Sequence, residues 1–303
     1  MELIPPNTKI DFMGNRTYAY IFTTVMIVLS LLSYPVKGWI NLGIDFTGGV
    51  MIQVKFKKPV DTEHIRKALQ PISQNATVQR FSAGGEGEDY IIRLEAPDEG
   101  QEKFSNELQS LLDNSFGKGN VEIRGFELVG PKVGNDLQQA GIWATIVALS
   151  MLLVYMAFRF TLSMGIGAVF CLVHDLIIIY GFFVWTGKEF NLTILAAMLT
   201  CIGYDINDSI VVCDRIRDNL KTMRKQPLGE VFNVSINQTL SRTVLTGGFT
   251  LLVVISLLIF GTNVLKDFAW AMLVGILFGT YSSIFVASPL ILAIDKYIPV
   301  KRG

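Results

Sequence analysis

The sequence predicts an α-helical membrane protein: six spanning helices, with one small α+β domain inserted between the first and the second. Three observations lead there. Half of the 303 residues are hydrophobic and the mean hydropathy is positive, which is unusual for a soluble chain of this length. The polar residues are unevenly spread, gathering between about 36 and 139 and again between about 214 and 242. Around these blocks lie apolar runs able to cross a hydrocarbon core of about 30 Å, which takes about 20 helical residues. Lys plus Arg equals Asp plus Glu, 26 against 26, so bulk charge gives no case for nucleic acid.

Residues 1–17 are polar, with Lys9, Asp11 and Arg16. The first span is expected over 18–35, closed by Pro35, Lys37 and Gly38. It starts too far into the chain and lacks the small-residue site of a cleaved leader, so it reads as a retained anchor. Residues 36–139 have the texture of a folded domain. Val50–Phe56 is β-rich and alternates in places, Asp61 opens a helix-spaced segment, and 76–82 and 90–96 read as strands around the glycine-rich loop at 84–89. Phe104, Leu108, Leu111 and Leu112 give 101–116 an apolar helical face, and 121–129 is a further strand. The order β-α-β-β-α-β is that of a ferredoxin-like split β-α-β sandwich, expected on the extracytoplasmic side. Helices 2–6 are then expected at about 140–158, 165–185, 192–213, 239–260 and 269–294, within 140–295, and 296–303 forms the C-terminal tail.

Orientation follows from Lys and Arg. Lys9 and Arg16, Arg159, the run Arg215 to Lys225, and Lys296 to Arg302 all fall on one side of an alternating path. The positive-inside rule then puts both termini in the cytoplasm. Cys171, Cys201 and Cys213 lie in or beside apolar runs with no disulfide or metal spacing, so they read as packing residues. No cofactor or metal is expected.

The informative stretch is 200–217, where Asp205 and Asp208 occur before the apolar residues run out. An ionisable group inside a span costs about 2.5–3.5 kcal/mol on insertion scales and is a functional candidate by default. Three residues apart, the two acids share a helical face, together with Cys201 and Val212. Arg242 opens the next apolar run. At 1.5 Å per residue it reaches a depth similar to that of Asp208 on an antiparallel neighbour. An acid whose distance to a cation changes as helices move can pick up and release a proton. The competing readings are a static hydrogen-bonded Asp208 and an Arg242 that snorkels to the headgroups. In the third span, Asp175 is expected to face the bundle, as a further relay candidate or as a residue that ties helices together. Its neighbour His174 points about 100° away by helical geometry, so the two are not expected to pair, and His174 reads as a packing residue. Gly43-Ile-Asp-Phe-Thr-Gly-Gly49, with Asp45, Gly48 and Gly49, and Gly130-Pro-Lys-Val-Gly134, with Gly130 and Pro131, bracket the inserted domain. They are expected to meet at its base as a hinge or coupling element. Gly165, Gly167, Gly275 and Gly279 are expected to permit close helix approach.

The stretches 42–49, 173–176 and 187–192, Ile202-Gly-Tyr-Asp-Ile-Asn-Asp-Ser209 with Asp214-Arg-Ile-Arg217, and Asn237-Gln-Thr-Leu-Ser-Arg-Thr243 resemble the SecF family. These are the smaller membrane subunits of the bacterial SecDF protein-export accessory complex, in the resistance-nodulation-division superfamily. The resemblance covers nearly the whole chain, and the 202–217 segment is its most specific part. It implies a half-transporter in the bacterial cytoplasmic membrane, paired with a SecD-like subunit. The pair would use the proton gradient, with sodium as the alternative ion, to draw an unfolded polypeptide from the SecYEG translocon. YajC- or YidC-type membrane proteins would be further partners. The family's transmembrane acid falls on Asp208 and its basic partner on Arg242. Asp205 departs from the family, which usually has a small hydroxyl residue there. Two acids one turn apart do not readily both ionise, so Asp205 is expected either to share or relay the proton or to perturb it.

Rival readings are weaker. A small-molecule or lipid exporter of the same superfamily would need a second half. An intramembrane aspartyl protease would need its two acids on different helices, with a Gly-x-Gly-Asp motif, and here they share one. The chain is therefore expected not to be an enzyme.

Overall fold

The computed structural model describes residues 5, 8–73, 76–81, 88–95 and 101–298. The glycine-rich loop at 84–87 and the basic tail from 299 lie outside them. The chain divides into two compact units, Leu42–Ile142, and Met1–Asn41 with Trp143–Gly303.

In the first unit, a one-turn helix (α2, Ile44–Thr47) leads into strand β1 (Gly49–Phe56). Helix α3 (Thr62–Leu69), strands β2 (Thr77–Phe81) and β3 (Glu88–Leu94), helix α4 (Gln101–Phe116) and strand β4 (Val121–Val129) follow. The element order is β-α-β-β-α-β, and the four-stranded sheet has the order β2-β3-β1-β4. All pairings are antiparallel, with Ile52 opposite both Ile92 and Phe126. Period-two alternation sends Val50, Ile52, Val54 and Phe56 to one face, where they meet Ile65 and Leu69 of α3 and Leu108 and Leu112 of α4. Each fully buried side chain of this size contributes about 1.5–3 kcal/mol. Asp61 caps α3 by accepting from the Glu63 N–H, as its position before the helical run suggests. A register shift between Gln53 and Val54 bends β1 against β4.

Six helical segments among the described residues are long and apolar enough to cross a membrane: 16–37, 131–159, which begins in the first unit, and 162–186, 192–222, 228–260 and 265–294 in the second. They are α1 (Arg16–Lys37), α5 (Pro131–Arg159), α6 (Leu162–Thr186), α7 (Leu192–Thr222), α8 (Leu228–Phe260), and α9 (Asn263–Ser282) running through a π segment (Ser283–Ala287) into α10 (Ser288–Ile294). Several helices overrun their apolar cores. Helix α5 starts at Pro131, because proline suits a first helical turn, where its missing N–H is not needed. Helices α7 and α8 extend past the apolar stretch at the end where Asn219 donates to Ser235 and Gln238. Pro35 lies inside α1 rather than ending it. Helices α6 and α9–α10 are the most buried, and α5 and α8 the least, so α6, α7 and α9–α10 form the centre of this unit.

The N-terminal residues 8–14 form a strap on α8 that hydropathy does not foretell. Asn237 accepts from the Ile10 N–H at 3.0 Å and donates to its carbonyl at 2.9 Å. Asn233 accepts from the Met13 N–H and donates to Asp11, while Phe12 and Met13 are buried among the helices. The Gly14 N–H, and then the Asn233 amide, hold the Asp11 carboxyl below the ordinary carboxylate range. Such a group stabilises the docked strap fully above its unfolded pKa, and that contribution fades as pH falls through the lower folded value. Below about pH 4, the protection of the Ile10 and Met13 amides, relative to their intrinsic exchange rates, is therefore expected to fall, whereas in Asp11→Asn that protection should change little with pH. Equal pH dependence in the two proteins would show that Asp11 does not anchor the strap.

Candidate functional site

The acids of the apolar runs meet in the interior formed by α6, α7, α8 and α9 with its π segment. Asp208 sits on α7, part-buried. Its Oδ1 accepts from the Thr243 hydroxyl of α8 and its Oδ2 from the Ser283 hydroxyl of the π segment, each at 2.6 Å. Three elements thus converge on one carboxylate. A π turn sits at this contact, and such turns recur at functional sites.

One turn earlier on α7, Asp205 is buried at 4 % exposure, and its Oδ1 has no hydrogen-bond partner among the described residues. Its carboxyl lies over Gly279 of α9, where any Cβ would collide with it. One turn earlier again, Cys201 lies over Gly275 in the same way. The two glycines act as sockets for α7 side chains, the close approach that small residues permit between apolar helices. Asp205 is within electrostatic reach of both Asp175 and Asp208. A buried carboxylate oxygen without a partner costs about 1–3 kcal/mol or more. Asp205→Ser is therefore expected to raise the thermal midpoint of the purified protein, its hydroxyl bonding to its own helix. A lower midpoint would mean that the acid has a stabilising partner.

Asp175 of α6 is also buried. Its Oδ2 accepts from the Ser282 hydroxyl at 2.6 Å, and its Oδ1 lies 2.8 Å from His174 Nδ1. The expectation that His174 and Asp175 do not pair is therefore corrected. Helical phase separates the two Cα–Cβ bonds by about 100°, but both side chains are short of solvent, at 1 % and 2 % exposure, and bend together because each lacks water.

Arg242 of α8 lies within electrostatic reach of Asp208, without a direct contact. Among the described ion pairs none joins them. Arg242 is exposed and lines an open cavity of about 460 Å³ with Asn207, Asp214, Gln238 and Thr239. Adjacent residues on a helix point about 100° apart, and on α8 the direct hydrogen bond to Asp208 comes from Thr243. Beside this cavity, Asp214 takes Arg217 at 2.6 Å and Arg159 at 3.4 Å, and both guanidinium groups lie near the Phe160 ring.

The two segments that bracket the sheet meet within their own unit. Gly48 has φ +72° and Gly49 φ +132°, a region closed to most side chains. A Cβ on Gly48 would stand 2.7 Å from Pro131 Cα. A Cβ on Gly134 would stand 2.8 Å from the Gly48 nitrogen. Gly130 leads into the first turn of α5, and Asp45 lies in α2. The residues that hydropathy passed over are Thr243, Ser282 and Ser283, whereas Gly279 was expected to permit close helix approach and does. A serine pair inside an apolar run is the one signal that could have pointed to them.

Comparison with known proteins agrees with this layout. Residues 109–297 match the profile of the family described as protein export membrane protein SecD/SecF, C-terminal, and residues 38–60 match the SecD/SecF GG motif. The chain is 43% identical over 299 residues to the protein translocase subunit SecF of Magnetococcus marinus, covering 97% of this chain and 95% of that one. It is also 43% identical over 293 residues to that of Vibrio alginolyticus, covering 96% and 91%. The crystal structure of SecDF, a translocon-associated membrane protein from Thermus thermophilus, superposes with a TM-score of 0.85 at 37% identity. That match covers 98% of this chain and 40% of the other, so this chain spans about two fifths of the SecDF polypeptide. With near-complete coverage by SecF sequences and a family profile over most of its length, the chain belongs to the SecD/SecF family of protein-export membrane proteins, on its SecF side.

Proposed function

We propose that the chain is the SecF-like half of an accessory complex of the Sec translocase in the bacterial cytoplasmic membrane. It pairs with a SecD-like half, and the two use the proton gradient to help draw unfolded polypeptide from the SecYEG channel. It is a transport subunit and not an enzyme. Both termini lie in the cytoplasm, and the ferredoxin-like sheet unit lies on the outer side, a reading supported by the placement of Lys and Arg. YajC- or YidC-type proteins belong to the same assembly. The observation that carries the proposal is Asp208, a carboxylate inside an apolar bundle whose two oxygens are held by hydroxyls from two other elements. Such an acid can exchange a proton without leaving its oxygens unsatisfied, and each exchange alters its bonds to α8 and the π segment. The open cavity lined by Arg242 and Asn207, the residue next to Asp208, supports a route for that proton. Asp205 and Asp175 extend the acid chain, and the junction of Asp45, Gly48, Gly49, Gly130 and Pro131 serves as the hinge of the sheet unit.

The test is export into sealed vesicles holding the translocon and both halves, driven in separate runs by an imposed pH gradient and an imposed sodium gradient. Stimulation by the pH gradient alone is expected. Stimulation by sodium alone would move the proposal to the other ion, and stimulation by neither would overturn it. Transport of a small molecule without effect on export would favour an exporter half.

A further inference from the structure

Ser282 and Ser283 are consecutive residues at the point where α9 gives way to the π segment, and each holds a different acid. Ser282 donates to Asp175 of α6 and Ser283 to Asp208 of α7, both at 2.6 Å. Each hydroxyl also has a second acceptor on its own helix. The Gly279 carbonyl lies 3.1 Å from Ser282 Oγ, and the Thr280 carbonyl 3.1 Å from Ser283 Oγ. A serine has one hydrogen to give, so it serves one acceptor at a time. While Asp208 is ionised, Ser283 donates to it. Once Asp208 carries a proton on Oδ2, that O–H donates to Ser283 Oγ, and the serine hydrogen turns to the Thr280 carbonyl. No heavy-atom bond forms or breaks. The proton arrives on Asp208 and later leaves it, and only the direction of the hydrogen bond reverses.

The place of the reversal matters because the backbone there is not a regular α-helix. The π segment Ser283–Ala287 closes its bonds over five residues rather than four, and the Cys171 thiol donates to the Ser282 carbonyl at 3.6 Å. A hydrogen bond newly placed on the Thr280 carbonyl competes with the backbone N–H groups that choose between the α and π patterns. The segment is also wired outward. Phe285 stacks on Tyr281 at 5.3 Å and packs edge-on against Phe12 of the N-terminal strap at 5.4 Å. The Tyr281 hydroxyl donates to the Ala19 carbonyl of α1 at 3.0 Å and meets Thr23 at 3.2 Å. Helix α1 is the stretch of chain that continues into the sheet unit.

We propose that the Ser282–Ser283 pair is the transducer of this protein. Ser283 reports the protonation of Asp208 to the π segment, which shifts between π and α pairing and moves Tyr281 against α1. Ser282 ties the same segment to Asp175 and so sets the position from which it moves. Both are positioning residues. The ionisable groups around them are Asp175, His174 and Cys171 on α6, Cys201, Tyr204, Asp205 and Asp208 on α7, Arg242 on α8 and Tyr281 on α9. This inference rests on the proton-coupled reading of Asp208.

The experiment compares Ser283→Ala, Ser283→Thr and Asp208→Asn in the complex with its SecD-like half, reconstituted in vesicles. Two quantities are read: export driven by a pH gradient, and deuterium exchange of residues 281–292 as the pH is stepped. The unaltered protein is expected to show pH-dependent exchange in this segment, which Ser283→Thr retains and which Ser283→Ala and Asp208→Asn lose. Gradient-driven export should fall about fivefold or more in Ser283→Ala, as loss of a coupling of ordinary size implies. Should Ser283→Ala fail to assemble, Ser283→Cys, with a much weaker donor, takes its place. Intact export and exchange in Ser283→Ala, with both lost in Asp208→Asn, would overturn the transducer and leave the proton reading standing. Failure of threonine to rescue would overturn it too, by reducing the serine to a packing role. Intact export in Asp208→Asn would overturn the proton reading itself.

Discussion

Asp208→Asn is expected to reduce export to its gradient-independent level while leaving the protein folded. Asparagine has nearly the shape of aspartate, and its carbonyl can still accept from Thr243 or Ser283. The amide cannot bind and release a proton between pH 5 and 8. The substitution therefore separates the chemistry of the carboxyl from its packing. Its effect should appear only in the increment that an imposed gradient adds, with export driven by the translocon motor alone unchanged. A coupling free energy of about 1–3 kcal/mol corresponds to roughly 5–150-fold, and complete loss of the increment falls at the upper end. Asp208→Glu keeps the proton but lengthens the side chain against two hydroxyls placed for aspartate, so partial function is expected. A full gradient response in Asp208→Asn would remove the central acid from the mechanism.

The second large effect is structural. Gly279→Ala adds one methyl group at the site occupied by the Asp205 carboxyl. The α7 and α9 backbones are packed over several turns, with Cys201 seated on Gly275 one turn away, so the helices cannot separate locally. Overpacking of this kind costs about 1–3 kcal/mol, occasionally more. A loss of thermal stability in detergent and a lower yield of monodisperse protein are expected. The pair should behave as a coupled unit, since residues in contact are not additive. Asp205→Ala or Asp205→Ser empties the socket and should rescue Gly279→Ala almost fully. If Gly279→Ala is as stable as the unaltered protein, or if the double variant is no better than the single one, Asp205 does not rest in that socket.

The strands show how pattern becomes legible. In β1, Val50, Ile52, Val54 and Phe56 alternate with Met51, Gln53 and Lys55, and alternation alone sends them to one face. The apolar runs were legible because transfer from water scales with apolar length and ignores partners. Their helical ends were harder to place. Helices α7 and α8 continue well beyond the apolar residues, since a backbone can stay helical in water where Asn219, Ser235 and Gln238 tie two helices together. The strap at 8–14 was invisible for a related reason. Its anchors are two asparagines more than two hundred residues away, and hydropathy carries no information about such pairings.

The candidate site divides along the same line. Asp175, Asp205 and Asp208 stand out in the sequence because charge inside an apolar run is expensive wherever it points. Which groups compensate that expense is a matter of helix rotation. Rotation gave Asp208 to Thr243 and Ser283 and left Arg242 at the cavity wall. It also turned His174 and Asp175 toward each other.

By itself the sequence determined the number of spanning segments, the β-α-β-β-α-β order of the inserted unit and the identity of the buried acids. All of these follow from local composition and from periods of two or 3.6 residues. Only the tertiary structure decided which hydroxyls hold those acids, that Gly279 is the socket of Asp205, and that a π segment begins where the two serines reach α6 and α7. Contacts between helices depend on the relative rotation and depth of whole cylinders. A rotation of about 100° moves a contact from one residue to the next with no change in the hydropathy that placed the helix in the membrane.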